Sequence, residues 1–208
     1  MASAATNQTL NGQEEAEQQE TPAILIKARE ESAQRLMKAY ALAGLFFMLL
    51  PGTFLGVWNL ISISGRHGAA VSPAWIQAHG HAQIFGWIGT FILGIGFYSI
   101  PKMTGGKLQS VWRGWAAWVL WSSGALLRWS TGVYQWHWRA VLPLSAVLEL
   151  GAFLIFLRSV SRHRPDTSQR SGGKPPLWVI PVLLGTLGFG IGLMMNAKMV
   201  FAMPSIMK

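Results

Sequence analysis

The 208-residue chain contains no cysteine and only 12% charged residues. Without thiols it cannot form disulfides, thiolate-ligated haem, iron–sulfur clusters, covalent c-type haem or a Cys nucleophile, so any metal must be held by His or oxygen ligands. Average soluble domains carry about 25% charged residues, whereas hydrophobic residues make up 51% of this chain. The composition therefore predicts a membrane protein with several spans rather than one or two soluble domains.

Acidic residues are scarce beyond the N-terminal segment. Only Glu149 and Asp166 follow position 31, against fifteen Lys and Arg. Such a surplus can indicate a nucleic-acid partner. Because these cations lie between apolar segments, we interpret them as determinants of membrane topology and expect no nucleic acid.

The N-terminal 38 residues differ from the rest of the chain. Residues 1–20 are rich in Gln, Glu, Asn and Thr, which predicts a disordered tail. They lack the pattern of a signal peptide, so we expect the N-terminus to stay in the cytoplasm. Thr21 and Pro22 are typical of a helix start, and we predict an interfacial amphipathic helix over 21–38.

Five apolar runs follow, each long enough to cross about 30 Å of hydrocarbon. The fold class is therefore all-α, and residues 39–208 are predicted to form a bundle of five transmembrane helices, with a kink at Pro51. The predicted spans are 39–64, 75–100, 112–134, 140–158 and 177–201. A polar loop separates the last two.

The distribution of Lys and Arg predicts the orientation of these spans. With the N-terminus inside, twelve cations lie on the cytoplasmic side and only Arg66, Arg139 and Lys208 on the outer side. We expect a multi-pass protein of a bacterial inner membrane, embedded in the lipid bilayer, with its N-terminus inside and its C-terminus outside. His163 then falls in a cytoplasmic loop and His67 in an outer loop.

Several polar residues, which are energetically unfavourable inside a membrane, are predicted to lie at one depth, in or beside its outer half. Intramembrane polar residues indicate a functional site by default. We expect one polar pocket there, with His79 pointing into it. The six residues are His79, His81, Arg128, His137, Asn196 and Lys198.

His79 and His81 lie two residues apart, about 200° around a regular helix, so they cannot easily bind one metal there. Gln83, Gly86 and Thr90 continue the His79 face, and small residues there leave room either for a flat macrocycle or for a neighbouring helix. The His81 face continues with Phe85, Ile88, Ile92 and Ile95 and is typical of packing or lipid contact. Both histidines could equally be interfacial residues bonded to backbone or lipid headgroups.

The motif H-G-H-A-Q-I-F-G-W from position 79, with G-I-G-F-Y-S-I-P-K-M-T-G after it, resembles the second transmembrane helix of the NnrS-like family of haem- and copper-containing membrane proteins. It is also similar to the second helix of subunit I of haem–copper oxidases. The resemblance covers about 30 residues and extends weakly to Arg128. It implies a b-type haem with His79 as axial ligand and His81 as a second metal or structural ligand, with Gly86 beside the cofactor; copper is a further metal that it allows.

This resemblance implies a haem-binding, copper-compatible membrane protein of electron transport in the respiratory chain or in nitric oxide metabolism. If the chain is catalytic, it would be an oxidoreductase. The chain departs from both families, which have about twelve spans, and it lacks the adjacent His pair of an oxidase. Ala82 replaces a carboxylate of the NnrS-like motif. Oxygen reduction does not follow from the resemblance.

Three further residues have two readings each. His137, within W-H-W-R, is either part of an aromatic interface belt or an outer metal ligand. Arg128 either extends to the interface or holds haem propionates or another anion. Glu149, the one carboxylate within the predicted spans, is either a proton-relay residue or a structural partner of Arg128 or Lys198.

Two other functions remain open at this point. The chain could be a non-catalytic subunit, a homo-oligomer or part of a larger membrane complex, assembling through glycines such as Gly86 and Gly94. It could also be a small transporter with Glu149 and Lys198 along its path. For the haem interpretation we expect His79 and Arg128 to approach within about 10–12 Å, the reach of one haem from iron to propionates.

Overall fold

The computed structural model describes residues 2–65, 72–103, 111–161 and 179–206; side chains are described from Ile24 onward, apart from those of residues 26, 179 and 202–206. All regular elements in these ranges are helical. The elements join into five long helices, residues 2–65, 73–103, 111–134, 138–161 and 179–206. The first of these contains the π-helical segment Met48–Phe54, and the second contains the π-helical segment Ala82–Gly89. The α-helical elements are α1 (Ala2–Phe47), α2 (Leu55–Gly65), α3 (Pro73–His81), α4 (Thr90–Met103), α5 (Val111–Tyr134), α6 (Trp138–Ser161) and α7 (Val179–Ile206).

Four of the long helices are apolar and long enough to cross a membrane: Lys27–Gly65, Pro73–Met103, Trp138–Ser161 and Ile180–Phe201. This confirms the all-α fold class and indicates a membrane protein. The remaining long helix, α5, has 24 residues, enough length for a span. Its many Trp, Ser and Gly residues and two Arg make it less hydrophobic than the others.

The polar N-terminal segment forms the first turns of α1, which begins at Ala2. Disorder of residues 1–20 in solution stays a prediction from composition. The segment 21–38, predicted as an interfacial helix, is also part of α1. Its Ala33 and Leu36 are buried, and Leu36 lies against Gly114 of α5.

Close helix packing depends on glycines that face large side chains. A Cβ on Gly94 would come within 2.4 Å of Tyr40 Cβ, and one on Gly114 within 2.2 Å of Leu36. Tyr40 is fully buried and donates a hydrogen bond to the Gly114 carbonyl at 3.1 Å. α1 is thereby fixed between α4 and α5. Gly94 therefore serves packing within the chain, and a role in assembly with partner chains stays a prediction.

Both π-helical segments present backbone carbonyls to side chains of other helices. Pro51, which lacks an N–H, lies within the first segment, at the predicted kink. Trp129 Nε1 donates to the Pro51 carbonyl at 3.2 Å. The second segment is contacted by Trp121 of α5. Its Nε1 donates to the Phe85 carbonyl at 3.1 Å and to the Thr90 hydroxyl at 3.0 Å. The two segments thus lock α5 against the first two long helices.

α7 is the most open of the long helices. Leu193, Ala197 and Val200 are buried, but most of its large apolar side chains are exposed. A Cβ on Gly185, Gly188 or Gly192 would meet no atom within 4 Å. Its exposed face is therefore available to lipid or to another chain.

Candidate functional site

His81 and Glu149 form a buried pair between α3 and α6. His81 Nε2 lies 2.7 Å from Glu149 Oε1, and the two residues are 6% and 1% exposed. Either Nε2–H donates to the carboxylate, or a protonated carboxyl group donates to Nε2. In both arrangements one proton is held between the two groups.

Glu149 fits between α5 and α6 because α5 carries Gly124 opposite it. A Cβ at Gly124 would lie 2.8 Å from Glu149 Cγ and 3.0 Å from the Ser145 carbonyl oxygen. Ser145 is itself buried. The missing side chain of Gly124 therefore creates the space that the carboxylate occupies.

Arg128 of α5 extends this polar cluster to α7. Its Nη2 donates to Asn196 Oδ1 at 3.1 Å, and it follows Gly124, which faces Glu149, by one helical turn. Nη1 is buried and has no hydrogen-bond partner within the described residues. We name His81, Arg128, Glu149 and Asn196 the polar cluster.

His79 faces a different helix. Its Nδ1 lies 2.9 Å from the Gly52 carbonyl oxygen in the first π-helical segment. Because a carbonyl can only accept, Nδ1 carries the proton and the lone pair is on Nε2. The ring lies on Gly56 of α2, where an added Cβ would come within 2.7 Å of Cε1.

The predicted opposition of the two histidines is confirmed, since His79 contacts the first long helix and His81 contacts α6. The assignment of residues to faces further along the helix holds in part. Ile88, Ile92 and Ile95 are exposed, in agreement with the predicted lipid contact, whereas His81, placed on the same face, is buried against the Glu149 carboxyl group. The π-helical segment between them inserts an extra residue in the turn and rotates the later residues around the axis.

The same segment changes the face predicted for His79. Gly86 packs against Phe47, because a Cβ added to Gly86 would lie 3.0 Å from the Cβ of Phe47. Thr90 faces Trp121 of α5. The space beside Gly86 is therefore filled by a neighbouring helix. This is the second of the two alternatives that the sequence left open, and a role for Gly86 beside a cofactor stays a prediction.

The described residues offer one imidazole suited to a haem or metal. His79 has a free Nε2 held in place by a backbone hydrogen bond, the usual orientation of a ligating His. His81 Nε2 is engaged by Glu149. In the part of the chain that the structure describes, no three His or acidic side chains form a metal-binding group. A haem at His79 would need its second axial ligand from elsewhere.

The other predicted site residues lie apart from this position. His137 is exposed beside Trp136, in the turn between α5 and α6, with a positive φ of 44°. Lys198 is an exposed residue of α7. Arg128 faces α7, whereas His79 faces the first long helix. His67 and His163 fall outside the described residues.

An aromatic layer closes the polar cluster on one side. Phe85 follows His81 by one turn, and their ring centroids are 4.9 Å apart. Phe189 lies 5.8 Å from both Phe85 and Trp121, and 5.7 Å from Phe153. Each of these four aromatic residues lies one or two helical turns from a member of the polar cluster, on the side away from the loop that contains His137. The opposite side of the cluster, which we call the His137 end, is the side nearer that loop.

Sequence reasoning recognised each member of the polar cluster but missed the His81–Glu149 pair. It offered Arg128 or Lys198 as partners of Glu149 and assigned His81 to a packing face. One signal pointed to the pair: Glu149 is the one acid within the predicted spans, and a buried carboxylate needs a partner.

Comparison with known proteins gives no further assignment. No protein-family model matches the chain, and no curated protein or solved structure does either.

Proposed function

We propose that this chain is a haem-binding integral membrane protein of electron transfer, working in respiratory or nitric-oxide-linked metabolism, with His79 as an axial ligand. One observation supports this function best: Nδ1–H of His79 donates to the Gly52 carbonyl and leaves Nε2 free. Such a hydrogen bond fixes the tautomer and increases the basicity of the ligating nitrogen. The resemblance of the surrounding motif to haem-binding helices agrees with this role.

The residues around His79 would orient the ligand rather than take part in the chemistry. Gly56 allows the ring to lie directly on α2. Gly52 supplies the carbonyl from a segment that Pro51 and Trp129 hold in place. A bound haem would supply one-electron redox chemistry, and copper is a second metal compatible with the resemblance.

Any further protein ligand to a haem at His79 would be supplied by a further copy of the chain, by a partner subunit or by a residue outside the described ranges. The resembled families have about twelve spans, and this chain has five long helices. We therefore propose a homo-oligomer or a larger membrane complex. The exposed face of α7, where Gly185, Gly188 and Gly192 are open, is one surface available for assembly.

For topology we propose five spans in a bacterial inner membrane, with α5 as the least hydrophobic span and the N-terminus in the cytoplasm. The excess of Lys and Arg at the end opposite His137 supports this orientation. Fusing a reporter that is active only in the cytoplasm at the two termini tests it. Activity at the N-terminus alone is expected, and activity at the C-terminus alone would reverse the orientation.

Haem binding is tested by titrating purified protein with haemin and recording the Soret band. We expect saturable binding in the natural sequence, loss in His79→Gly, and recovery of the band when free imidazole is added to that variant. Gly80→Ala is the matched control, because an added Cβ there meets nothing within 4 Å. A Soret band that is identical in His79→Gly without imidazole would refute the assignment.

A second function is favoured by the polar cluster. We propose His81 and Glu149 as a proton-accepting pair, since an ionisable pair inside a membrane bundle is typical of proton relays. Infrared difference spectra between acid and alkaline pH should contain a carboxyl band that disappears in Glu149→Gln and shifts in His81→Gln. Spectra unchanged by either substitution would exclude this role.

A further inference from the structure

A cavity of about 440 Å³ opens beside the polar cluster, at the His137 end of α3, α5 and α6. Six polar or small residues in its wall matter here, and no acidic side chain is among the described residues that line it. These six are Ser72, Ala74, Gln77, Arg128, Thr131 and Gln135.

Two side chains in this wall have hydrogen-bonding groups without partners. Thr131 is 0% exposed, yet its Oγ1 has no hydrogen-bond partner within the described residues, and the same holds for Nη1 of Arg128. Buried donors without an acceptor are costly, so native proteins rarely keep them unless a ligand or an ordered water completes the bond. Both side chains can donate. Because Arg128 Nη1 can only donate, its missing partner is an acceptor, and the Thr131 hydroxyl can donate to the same acceptor.

The beginning of α3 adds positive potential to the same cavity. Ser72 precedes the helix but its side chain makes no capping hydrogen bond, and Pro73 follows it. The first-turn amide of Ala74 consequently has no helical acceptor. The positive end of the helix dipole lies there as well.

The guanidinium of Arg128 forms no ion pair with a carboxylate among the described residues. Its Nη2 bonds to the neutral amide of Asn196, and the Glu149 carboxyl group is hydrogen-bonded to His81 rather than to Arg128. Arg128, with its charge and its unpartnered Nη1, the unpartnered hydroxyl of Thr131 and the N-terminus of α3 therefore line one cavity.

We propose that this cavity binds a small monoanion, either a simple carboxylate or an inorganic ion, through Arg128, Thr131 and the first turn of α3. The site lies on the side of α3 away from His79 and does not depend on haem binding. It is reached from the His137 end, because the aromatic layer of Phe85, Phe153 and Phe189 closes the other side.

The natural absence of cysteine allows a direct test in haem-free protein. Ala74→Cys places one thiol in the cavity wall. We expect an anionic methanethiosulfonate reagent to react at least about tenfold faster than a cationic one of similar size, because a cleft of one charge concentrates the opposite charge. Adding Arg128→Gln should remove this preference, and adding Thr131→Val should leave it.

The anion itself is tested by protection. Sodium formate should slow the reaction of Ala74→Cys, whereas the isosteric neutral formamide at equal ionic strength should not. Thr131→Val should weaken the protection by formate. This readout also decides the matter if Arg128→Gln does not fold.

Ser64→Cys is the matched control. Ser64 is an exposed residue of the first long helix at the His137 end, but it does not line the cavity. Its charge preference should not respond to Arg128→Gln. Equal rates for the two reagents at Ala74→Cys, a preference that survives Arg128→Gln, or no difference between formate and formamide would each overturn the proposal. Because haem is absent throughout, this result is independent of the assignment of His79.

Discussion

The two sides of α3 differ in what they offer a histidine. On one side, His79 meets the backbone of the first long helix, where the Gly52 carbonyl fixes its tautomer and leaves Nε2 with a lone pair. On the other side, His81 meets the carboxylate of Glu149 and is nearly inaccessible to solvent. The first arrangement suits a ligand to a metal, and the second suits the holding of a proton. Two histidines of one helical turn can therefore have separate roles.

The difference arises from what the neighbouring helices contribute. Pro51 and a π-helical segment place acceptor carbonyls opposite His79. Gly124 and Glu149 place a charged acceptor opposite His81. The predictions below perturb one side at a time, beginning with the largest expected effect.

Removing the carboxylate should have the largest effect on stability. Glu149→Ala leaves His81 and Arg128 buried without their acid, and breaking a buried pair typically costs about 3–5 kcal/mol. Unfolding in mixed detergent measures this loss. Glu30→Gln is the matched control: Glu30 pairs with Lys102 at 2.8 Å on an exposed surface, so little change is expected. An equal decrease in the free energy of unfolding in both variants would show that the buried pair contributes no more stability than the exposed pair.

Filling the space beside Glu149 should destabilise the same side by a smaller amount. Gly124→Ala forces α5 and α6 apart around the Ser145 carbonyl, and overpacking of this kind costs about 1–3 kcal/mol. Gly151→Ala, on the same helix as Glu149, meets nothing within 4 Å and should stabilise the helix by up to about 1 kcal/mol. The unfolding free energies of the two variants should therefore change in opposite directions; a neutral Gly124→Ala would contradict the tight packing.

Displacing His79 should weaken haem binding without disturbing His81. Gly56→Ala places a methyl group 2.7 Å from Cε1, which must turn the imidazole. Loss of correct ligand orientation should reduce haem affinity by roughly tenfold, as measured by haemin titration. The carboxyl infrared band of Glu149 should not move. An unchanged affinity would mean that the ring position on α2 is not required.

The smallest effect is expected from the support behind His79. Trp129→Phe removes the hydrogen bond to the Pro51 carbonyl, and one such bond contributes about 0.5–1.5 kcal/mol. The unfolding free energy should fall by this amount while haem binding stays close to that of the natural sequence. A large loss of haem binding would instead make Trp129 part of the ligand site.

Much of the fold could be predicted from hydrophobic runs, because a bilayer requires long apolar helices. Four of the five predicted spans correspond to helices that are long and apolar enough to cross a membrane. The other, 112–134, corresponds to α5, and the Pro51–Gly52 kink lies in a π-helical segment. The sequence predicted which residues share a helical face only over a short stretch of the helix. Beyond His81, a second π-helical segment with no proline shifts the faces, and a regular wheel of 100° per residue cannot anticipate that.

The polar cluster shows the same boundary between what sequence can and cannot predict. Its members were identified because charged and amide groups are unfavourable within a span. Their pairing depends on which helices are neighbours, and that depends on shape: Gly124 admits Glu149, and Gly132 allows α3 to approach α5 through Ala78. Single glycines in a chain with 23 of them do not reveal such contacts in advance.

The division between the two histidines is tested most directly by absorption spectra of three proteins prepared identically with haem: the natural sequence, His79→Ala and His81→Gln. We predict a Soret band in the natural sequence and in His81→Gln, responding to reduction in both, and its loss in His79→Ala. A band lost in His81→Gln and kept in His79→Ala would contradict the account, and a natural sequence that binds no haem would remove the assignment of His79.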